Sequence, residues 1–485
     1  MNYKIVLNII GKTMLICALL LAFPLLVGFI YQENEWVSFV VPMAFLAIVG
    51  FIFSIIKPDR KNIRAREGFV IVALTWIVIS AVGCTPYMIA GYIPNFFDAF
   101  FESVSGFTTT GASILSDVEF LSKGMSFWRM FTHWIGGMGV LVFVLAILPG
   151  YNEGVMHVFR AESPGPSVSK LVSKISYTAR ILYTIYFVMT LMEIIALLLS
   201  GMSFYDSVVF SFSTAGTGGF SIKNDGVASY SVASQMIMAV FMFLFGINFN
   251  VYYLITLRQI GKAFKNEELR VYLIIVAIAT LTITLDVFFS ALTLYDNFGV
   301  ALKDSFFQVT SIISTTGLTS TNYDLTFTTL SKSILVFLTI LGASAGSTGG
   351  GIKVSRFVIL IKSTFIDVKK QLHPRLIETV KLDNQPLANN TVSNVKTFFI
   401  AWLLLVLATV IILSLDAFGN LFSNFSATLA CIGNVGPGFD LVGPACNYGG
   451  YSAFSKLWLS LVMLAGRLEI FPMILLFLPN TWKKY

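Results

Sequence analysis

Long runs of apolar residues recur along this chain, at 14–31, 37–56, 69–90, 181–199 and 398–415. A helix that crosses a bilayer needs about 20 mostly apolar residues, and each run is close to that length. Composition agrees with membrane burial. Charged residues make up 12% of the chain, against roughly 25% in an average soluble protein, too few to cover a water-facing surface of this size. The fold class this predicts is an all-α polytopic membrane protein. The N-terminal stretch carries Lys4 and Lys12 ahead of its apolar run but shows no convincing small-residue cleavage site before Gln32, so it reads as a retained first helix.

The net charge of +7 is not spread as a nucleic-acid footprint would be. Lys57, Arg60, Lys61, Arg64 and Arg66 fill the gap after the second run. Arg160, Lys170, Lys174 and Arg180 fill a later gap, Arg258, Lys262, Lys265 and Arg270 a third, and Lys362, Lys369, Lys370, Arg375 and Lys381 a fourth. The intervening loops carry far fewer. Lys and Arg concentrated on alternate loops mark the cytoplasmic side, so these gaps and both termini, the latter with Lys483 and Lys484, are expected there. Cys17, Cys84, Cys431 and Cys446 have neither metal-ligand spacing nor a paired framework and read as packing residues.

A repeat organises the chain. Segments 98–111, 206–219, 304–317 and 423–436 each run from a small polar residue, through an apolar stretch, into Ser, Thr, Asn and Gly residues and a final glycine thirteen positions on. Each is too short to span and is flanked by full spans, as a re-entrant hairpin would be. The flanking spans are expected to end near 91 and start near 127, then to run at about 181–200 and 233–257, 271–294 and 331–364, and 398–415 and 455–479. Two further helices, about 10–31 and 36–56, precede the first unit. The resulting architecture is four helix–pore loop–helix repeats around one pore, divided as an extension 1–67 and repeats 68–150, 151–258, 259–365 and 366–485.

Asp98, Asp206, Asp304 and Ser423 open the hairpins and are expected to be helix N-caps. After each short helix the chain reads Thr109-Thr110-Gly111, Thr217-Gly218-Gly219, Thr315-Thr316-Gly317 and Asn434-Val435-Gly436. Extended backbone at membrane depth is tolerated only where it is buried or lines a cavity. Four such strands around an axis would present carbonyl oxygens able to replace the hydration shell of a monovalent cation. No carboxylate falls in them, which argues against a divalent-selective ring of side chains. The repeated offset places Gly219, rather than Gly218, in register with the other glycines. No HExxH, paired carboxylates or Ser/His/Asp set lies at useful depth, so the chain is not expected to be an enzyme. His133 reads as a packing residue.

These residues carry a resemblance. The segments Phe127-Trp-Arg-Met-Phe-Thr-His-Trp-Ile-Gly-Gly-Met-Gly139, Ala345-Gly-Ser-Thr-Gly-Gly-Gly-Ile-Lys353, Gly433-Asn-Val-Gly-Pro-Gly438 and Gly466-Arg-Leu-Glu-Ile-Phe471, with the four hairpins, resemble the Trk/Ktr/HKT superfamily of potassium and sodium translocating proteins. The two leading helices make the likeness strongest to the bacterial TrkH type, over almost the whole chain. The resemblance implies a pseudo-fourfold pore with Gly111, Gly219, Gly317 and Gly436 as filter glycines. It further implies potassium uptake across the bacterial inner membrane, K+ being the substrate and glycine at all four positions tending to favour K+, whereas serine at the first accompanies Na+ selectivity in some plant relatives. A homodimer and a cytoplasmic ring of TrkA-like nucleotide-binding regulatory subunits are also implied. The chain has no GxGxxG-type dinucleotide motif, so NAD or ATP would bind that partner and no cofactor is expected here.

A gate is expected below the filter. The run Gly342-Ala343-Ser344-Ala345-Gly346-Ser347-Thr348-Gly349-Gly350-Gly351 should break the second helix of repeat 3, because each Gly costs ~1 kcal/mol relative to Ala. The break begins about 16 Å into that helix at 1.5 Å per residue, near mid-membrane. Arg467 falls at similar depth, where a charge costs ~2.5–3.5 kcal/mol and should face the pore or a polar partner. The expectation is that the loop obstructs the path and Arg467 repels cations there. A structural bridge for Arg467 is the alternative. Glu193, Asp286 and Asp416 lie in first helices of repeats, Asp286 and Asp416 near outer ends; cross-helix pairing and proton coupling are the readings open for Glu193. The rival to a channel-like pore is a secondary active symporter coupled to H+ or Na+.

Overall fold

The computed structural model describes residues 1–58, 63–139, 175–290 and 295–483. Arg60, Lys61, Arg160, Lys170, Lys174 and Lys484, counted above among the basic residues, lie outside the described residues, as does the boundary between 150 and 151. Helices dominate, as they must where no water can satisfy the backbone. Those long and apolar enough to span, among the described residues, are Tyr3–Ile30, Trp36–Ile55, Arg66–Ile89, Ala179–Leu199, Glu267–Phe289 and Asn389–Leu413. The last four are the first helices of the four repeats.

These helices turn their apolar side chains outward. Ile274, Ile278, Leu281 and Leu285 form an exposed stripe at helical spacing, and Ile400, Leu403, Leu404, Leu407 and Ile411 form another. Such continuous exposed apolar faces belong against lipid. The first helix of repeat 1 is different: Val70, Ile71, Val72, Ala73 and Trp76 are fully buried, because Tyr3–Leu20, Phe96–Phe107 and Phe471–Phe477 pack around this helix. The two leading helices meet at small residues. A Cβ on Gly11 would sit 2.6 Å from Phe53 Cβ, and one on Gly50 would sit 2.9 Å from the Gly11 carbonyl oxygen. Asn8 adds hydrogen bonds to the carbonyls of Ser54 and Ile56 at 2.7 and 2.9 Å.

The four re-entrant helices are Phe96–Phe107, Phe204–Gly216, Phe298–Ile313 and Leu421–Ile432. Their caps correct the sequence expectation. Asn95, Ser203, Asn297 and Asn420 are the N-caps, with side-chain oxygens accepting from Phe97, Asp206, Gly299 and Ser423 N–H at 2.9, 3.1, 2.7 and 2.8 Å. Asp98, Asp206 and Ser423 lie inside the first turn, and Asp304 lies a turn deeper because the third helix starts earlier. Asn and Ser cap as well as Asp does, and acidic residues are also favoured within the first turn. An Asp near a helix start therefore does not by itself locate the cap.

A second correction concerns the second helices of repeats 2 and 4. The runs expected at 233–257 and 455–479 are not continuous. Val232–Phe245 and Phe249–Thr256 meet at a 90° bend, around Gly246 and the new N-cap Asn248. Ala453–Arg467 stops before Phe471–Phe477, with Glu469 and Ile470 at φ 57° and 67°. The break expected in repeat 3 lies between Thr329–Leu341 and Val354–Leu372. In repeat 1, Lys123–Gly137 ends at Gly136 and Gly137. A hairpin of Lys381–Leu382 and Gln385–Pro386 precedes the first helix of repeat 4.

The close contact of the leading helices generates a test. Gly50→Ala should lower the midpoint of heat-induced aggregation in detergent slightly, and Gly50→Leu should lower it much further, by an overpacking cost of about 1–3 kcal/mol. Equal midpoints for wild type and Gly50→Leu would contradict the contact.

Candidate functional site

Each re-entrant helix ends in the same backbone turn. The amides of Thr110, Gly218, Thr316 and Val435 donate back to the carbonyls of Ser105, Ser213, Ser311 and Ala430 at 2.9, 2.8, 2.8 and 2.9 Å. Thr109, Thr217, Thr315 and Asn434 take positive φ of 55°, 54°, 62° and 53°, and Gly111, Gly219, Gly317 and Gly436 take 78°, 81°, 79° and 96°. The four strands therefore share one conformation, and Gly219 rather than Gly218 occupies the glycine position.

They also share one contact, and it closes on itself. A Cβ on Gly111 would sit 2.0 Å from the Gly218 oxygen, one on Gly219 1.9 Å from the Thr316 oxygen, one on Gly317 1.9 Å from the Val435 oxygen, and one on Gly436 2.4 Å from the Thr110 oxygen. Each glycine thus packs bare against the carbonyl preceding the next repeat's glycine, around a complete ring. Only glycine combines that approach with positive φ. All four glycines open on a single cavity of about 190 Å³. The strands contain no ionisable side chain. Neutral oxygens crowded in this way can replace the water shell of a monovalent cation.

The ring is braced from behind. His133 Nδ1 lies 2.8 Å from the Gly106 carbonyl, and its Nε2 accepts from Phe220 N–H at 3.2 Å, so the partners require the neutral Nδ1–H tautomer. A packing role for His133 fits this bridge between repeats 1 and 2. Glu102 is fully buried and paired with Arg129 at 2.7 Å. It accepts from Ser113 Oγ and Ile114 N–H, while Arg129 donates to the Ser221 carbonyl at 2.9 Å. Arg129 was not singled out from sequence, although it stands within the segment 127–139 that carries the family resemblance. On the cavity side, Asn224 donates to Asp117, and Ser423 and Asn420 donate to Asp440, holding both carboxyls below the usual carboxylate range. The four residues first read as caps have other partners: Asp98 binds Lys456 at 2.7 Å, Asp206 accepts from Tyr230, Asp304 from Ser320 and Tyr295, and Ser423 donates to Asp440.

Directly beneath the ring sits the segment from Gly342 to Lys353. Gly350 N–H donates to Thr315 Oγ1 at 2.7 Å, and Cβ atoms on Gly349 and Gly350 would lie 2.7 and 2.4 Å from the carbonyl oxygens of Ser314 and Gly433. The absence of side chains lets this loop rise against the ends of the re-entrant helices of repeats 3 and 4. Ser344 N–H donates to the Gly246 carbonyl, and Phe249 N–H to Gly346, docking the loop on the bend of repeat 2. Arg467 donates to Thr348 at 2.7 Å and to Gly136 and Gly137 at 2.5 and 2.6 Å, all backbone carbonyls. One guanidinium therefore ties the loop to repeats 1 and 4. Arg356 and Glu469 form a further ion pair between the helix after the loop and the break of repeat 4.

Asp286 and Asp416 are explained by local structure. Asp286 accepts from Thr328 and Ser331, and Asp416 from Ser452 N–H, each at the start of its repeat's second helix. Glu193 is buried and accepts from Thr214 in the second re-entrant helix, which is the cross-helix contact that sequence left open.

The class defined by this fold is a polytopic helical membrane protein with four re-entrant segments closed into one glycine ring. The chain belongs to the TrkH family of cation transport proteins, whose family model matches residues 38–484. It is 34% identical over 496 residues to the Trk system potassium uptake protein TrkH of Vibrio parahaemolyticus and 32% identical over 490 residues to that of Salmonella typhimurium, with 100% of each chain covered in both cases. Its fold matches the crystal structure of the potassium transporter TrkH from Vibrio parahaemolyticus with a TM-score of 0.89 at 30% identity, again over 100% of both chains.

The ring contact generates a second test. In Gly317→Ser, the new Cβ meets the Val435 oxygen and Pro437, at a φ of 79° that serine resists. The purified variant in liposomes should lose discrimination between K+ and Na+ on the order of tenfold, the factor that ~1.4 kcal/mol of differential binding supplies. Unchanged discrimination would remove Gly317 from the ion path.

Proposed function

We propose that this chain carries potassium uptake across the bacterial inner membrane, through a channel-like pore whose selectivity filter is the glycine ring. The closed cycle of glycine–carbonyl contacts carries this reading, because it fixes neutral oxygens at a spacing the chain cannot relax without breaking all four strands. The full-length relatives are named as potassium uptake proteins. In the filter, Thr109, Thr110 and Gly111, Thr217, Gly218 and Gly219, Thr315, Thr316 and Gly317, and Asn434, Val435 and Gly436 supply the ion-facing backbone.

The loop 342–351 and Arg467 form the gate in this reading. The loop abuts Thr315, Ser314 and Gly433 at the inner end of the ring, and Arg467 holds it there. The positive charge of Arg467 raises the electrostatic cost of a cation at the same point. Both termini and the basic gaps face the cytoplasm, which puts the cavity above the ring outside. On the basic face Lys369, Lys370 and Arg375 are exposed beside Leu372 and Ile377, the latter 97% exposed. A patch both basic and apolar suits a protein partner, here a TrkA-like regulatory ring that would bind NAD or ATP. A homodimer completes the assembly.

The measurement is K+ entry into liposomes holding the purified chain. Voltage alone should drive it with no pH or Na+ gradient, and a variant lacking residues 344–349 should pass K+ faster. Entry that needs a H+ or Na+ gradient would favour a coupled symporter, and unchanged flux in the deletion would remove the gate.

A further inference from the structure

Glu268 is the second residue of the span Glu267–Phe289 and is only 4% exposed. Its Oε1 accepts from Ala345 N–H at 2.7 Å and from Ser355 N–H at 3.0 Å. Those amides stand at opposite ends of the loop beneath the ring: Ala345 lies just after the first half-helix, and Ser355 lies in the first turn of Val354–Leu372. One carboxylate oxygen therefore pins both ends of one loop. Its Oε2 lies 3.4 Å from Asn248 Nδ2, in the bend of repeat 2 that also docks Gly346. An ionised acceptor makes stronger bonds than a neutral one, and the amide at a helix start adds the favourable end of the helix dipole.

We infer that Glu268 is a positioning residue for the gate: it holds the loop in the obstructing conformation by clamping its two ends together. This rests on the reading of 342–351 as the gate. The clamp is also connected to the protein surface. Glu267, the neighbouring residue, pairs with Lys362, and its N–H donates to Asp383 Oδ1 at 2.6 Å. Asp383 lies in the turn of the hairpin formed by Lys381–Leu382 and Gln385–Pro386, and it also accepts from Asn266 at 3.1 Å. The helix start that carries the clamp is thus tied to a hairpin on the basic face. A force on that hairpin reaches both ends of the loop through two consecutive residues. Only the carboxylate at 268 reaches the loop ends, although both are acids in the first turn of the same helix. That difference separates clamping from a general stabilisation of the helix start.

The test uses the complete chain in liposomes without any partner protein, with K+ flux and thiol labelling as readouts. Glu268→Ala should raise flux on the order of tenfold with the K+/Na+ ratio unchanged, the effect of removing ~1.4 kcal/mol from the closed state. Glu268→Gln, which keeps an acceptor and loses the charge, should give a smaller rise, and Glu267→Gln, which loses the more exposed pair with Lys362 and no bond to the loop, should give a smaller rise still. A Ser347→Cys reporter in the loop should react faster with a water-soluble thiol reagent when combined with Glu268→Gln, over the background of Cys446. The labelling rate decides the matter if Glu268→Ala fails to fold. Wild-type flux and labelling in both Glu268 variants, in a chain whose loop deletion does raise flux, would overturn the clamp and leave the gate standing. Equal effects of Glu267→Gln and Glu268→Gln would also overturn it. A loop deletion without effect would remove the gate itself and the clamp with it.

Discussion

A glycine with no side chain, pressed against the carbonyl that precedes the glycine of the next repeat, is the contact on which the rest of this molecule depends. It occurs four times and closes into a ring, so no strand can move alone. The re-entrant helices exist to deliver these strands, and each ends in the same tight turn back to its own helix. Because the four units are one chain, they need not be identical around the ring. Glu102 occupies a position taken by Phe210, Gln308 and Ala427 in the other repeats. Its buried pairing with Arg129 reinforces only the junction of repeats 1 and 2. A charge pair at that depth is costly to bury, and its hydrogen bonds to both return segments show what it holds in place.

The space under the ring follows from broken helices. The second helices of repeats 2, 3 and 4 are interrupted where a continuous helix would run beneath the ring, and that of repeat 1 reaches Gly136 and Gly137 at the same place. The freed backbone groups do not go unpaired: carbonyls of Gly136, Gly137 and Thr348 converge on Arg467, and amides of Ala345 and Ser355 converge on Glu268. Irregular backbone at membrane depth requires such substitutes. The proposed gate is therefore built from few strong polar contacts rather than broad apolar packing, and an arrangement of that kind can have two states without unfolding its surroundings.

Much of this was legible in the sequence, for physical reasons. Lipid demands long apolar runs, so the first helices were visible. The thirteen-residue offset fixed the register of the glycines, and the ring geometry places Gly219 where that offset put it. The caps were misplaced because Asn95, Ser203, Asn297 and Asn420 stand ahead of apolar residues, leaving the more conspicuous acids inside the helices. The breaks in repeats 2 and 4 were missed because Gly246 and Gly466 are single glycines, without the glycine-rich run that exposes the break in repeat 3. Partnerships between distant residues, Glu102 with Arg129 or Glu268 with the loop, leave no local pattern to read.

In the proposed function, the ring binds a dehydrated monovalent cation through backbone oxygens. Diffraction from crystals of the protein soaked with Rb+ or Tl+, measured at the absorption edge of the ion, tests it directly. An anomalous peak is expected on the axis among the carbonyls of Thr110, Gly218, Thr316 and Val435, weakened when K+ is added in excess. Peaks confined to the carboxylates of Asp117 or Asp440, with none at the ring, would contradict it.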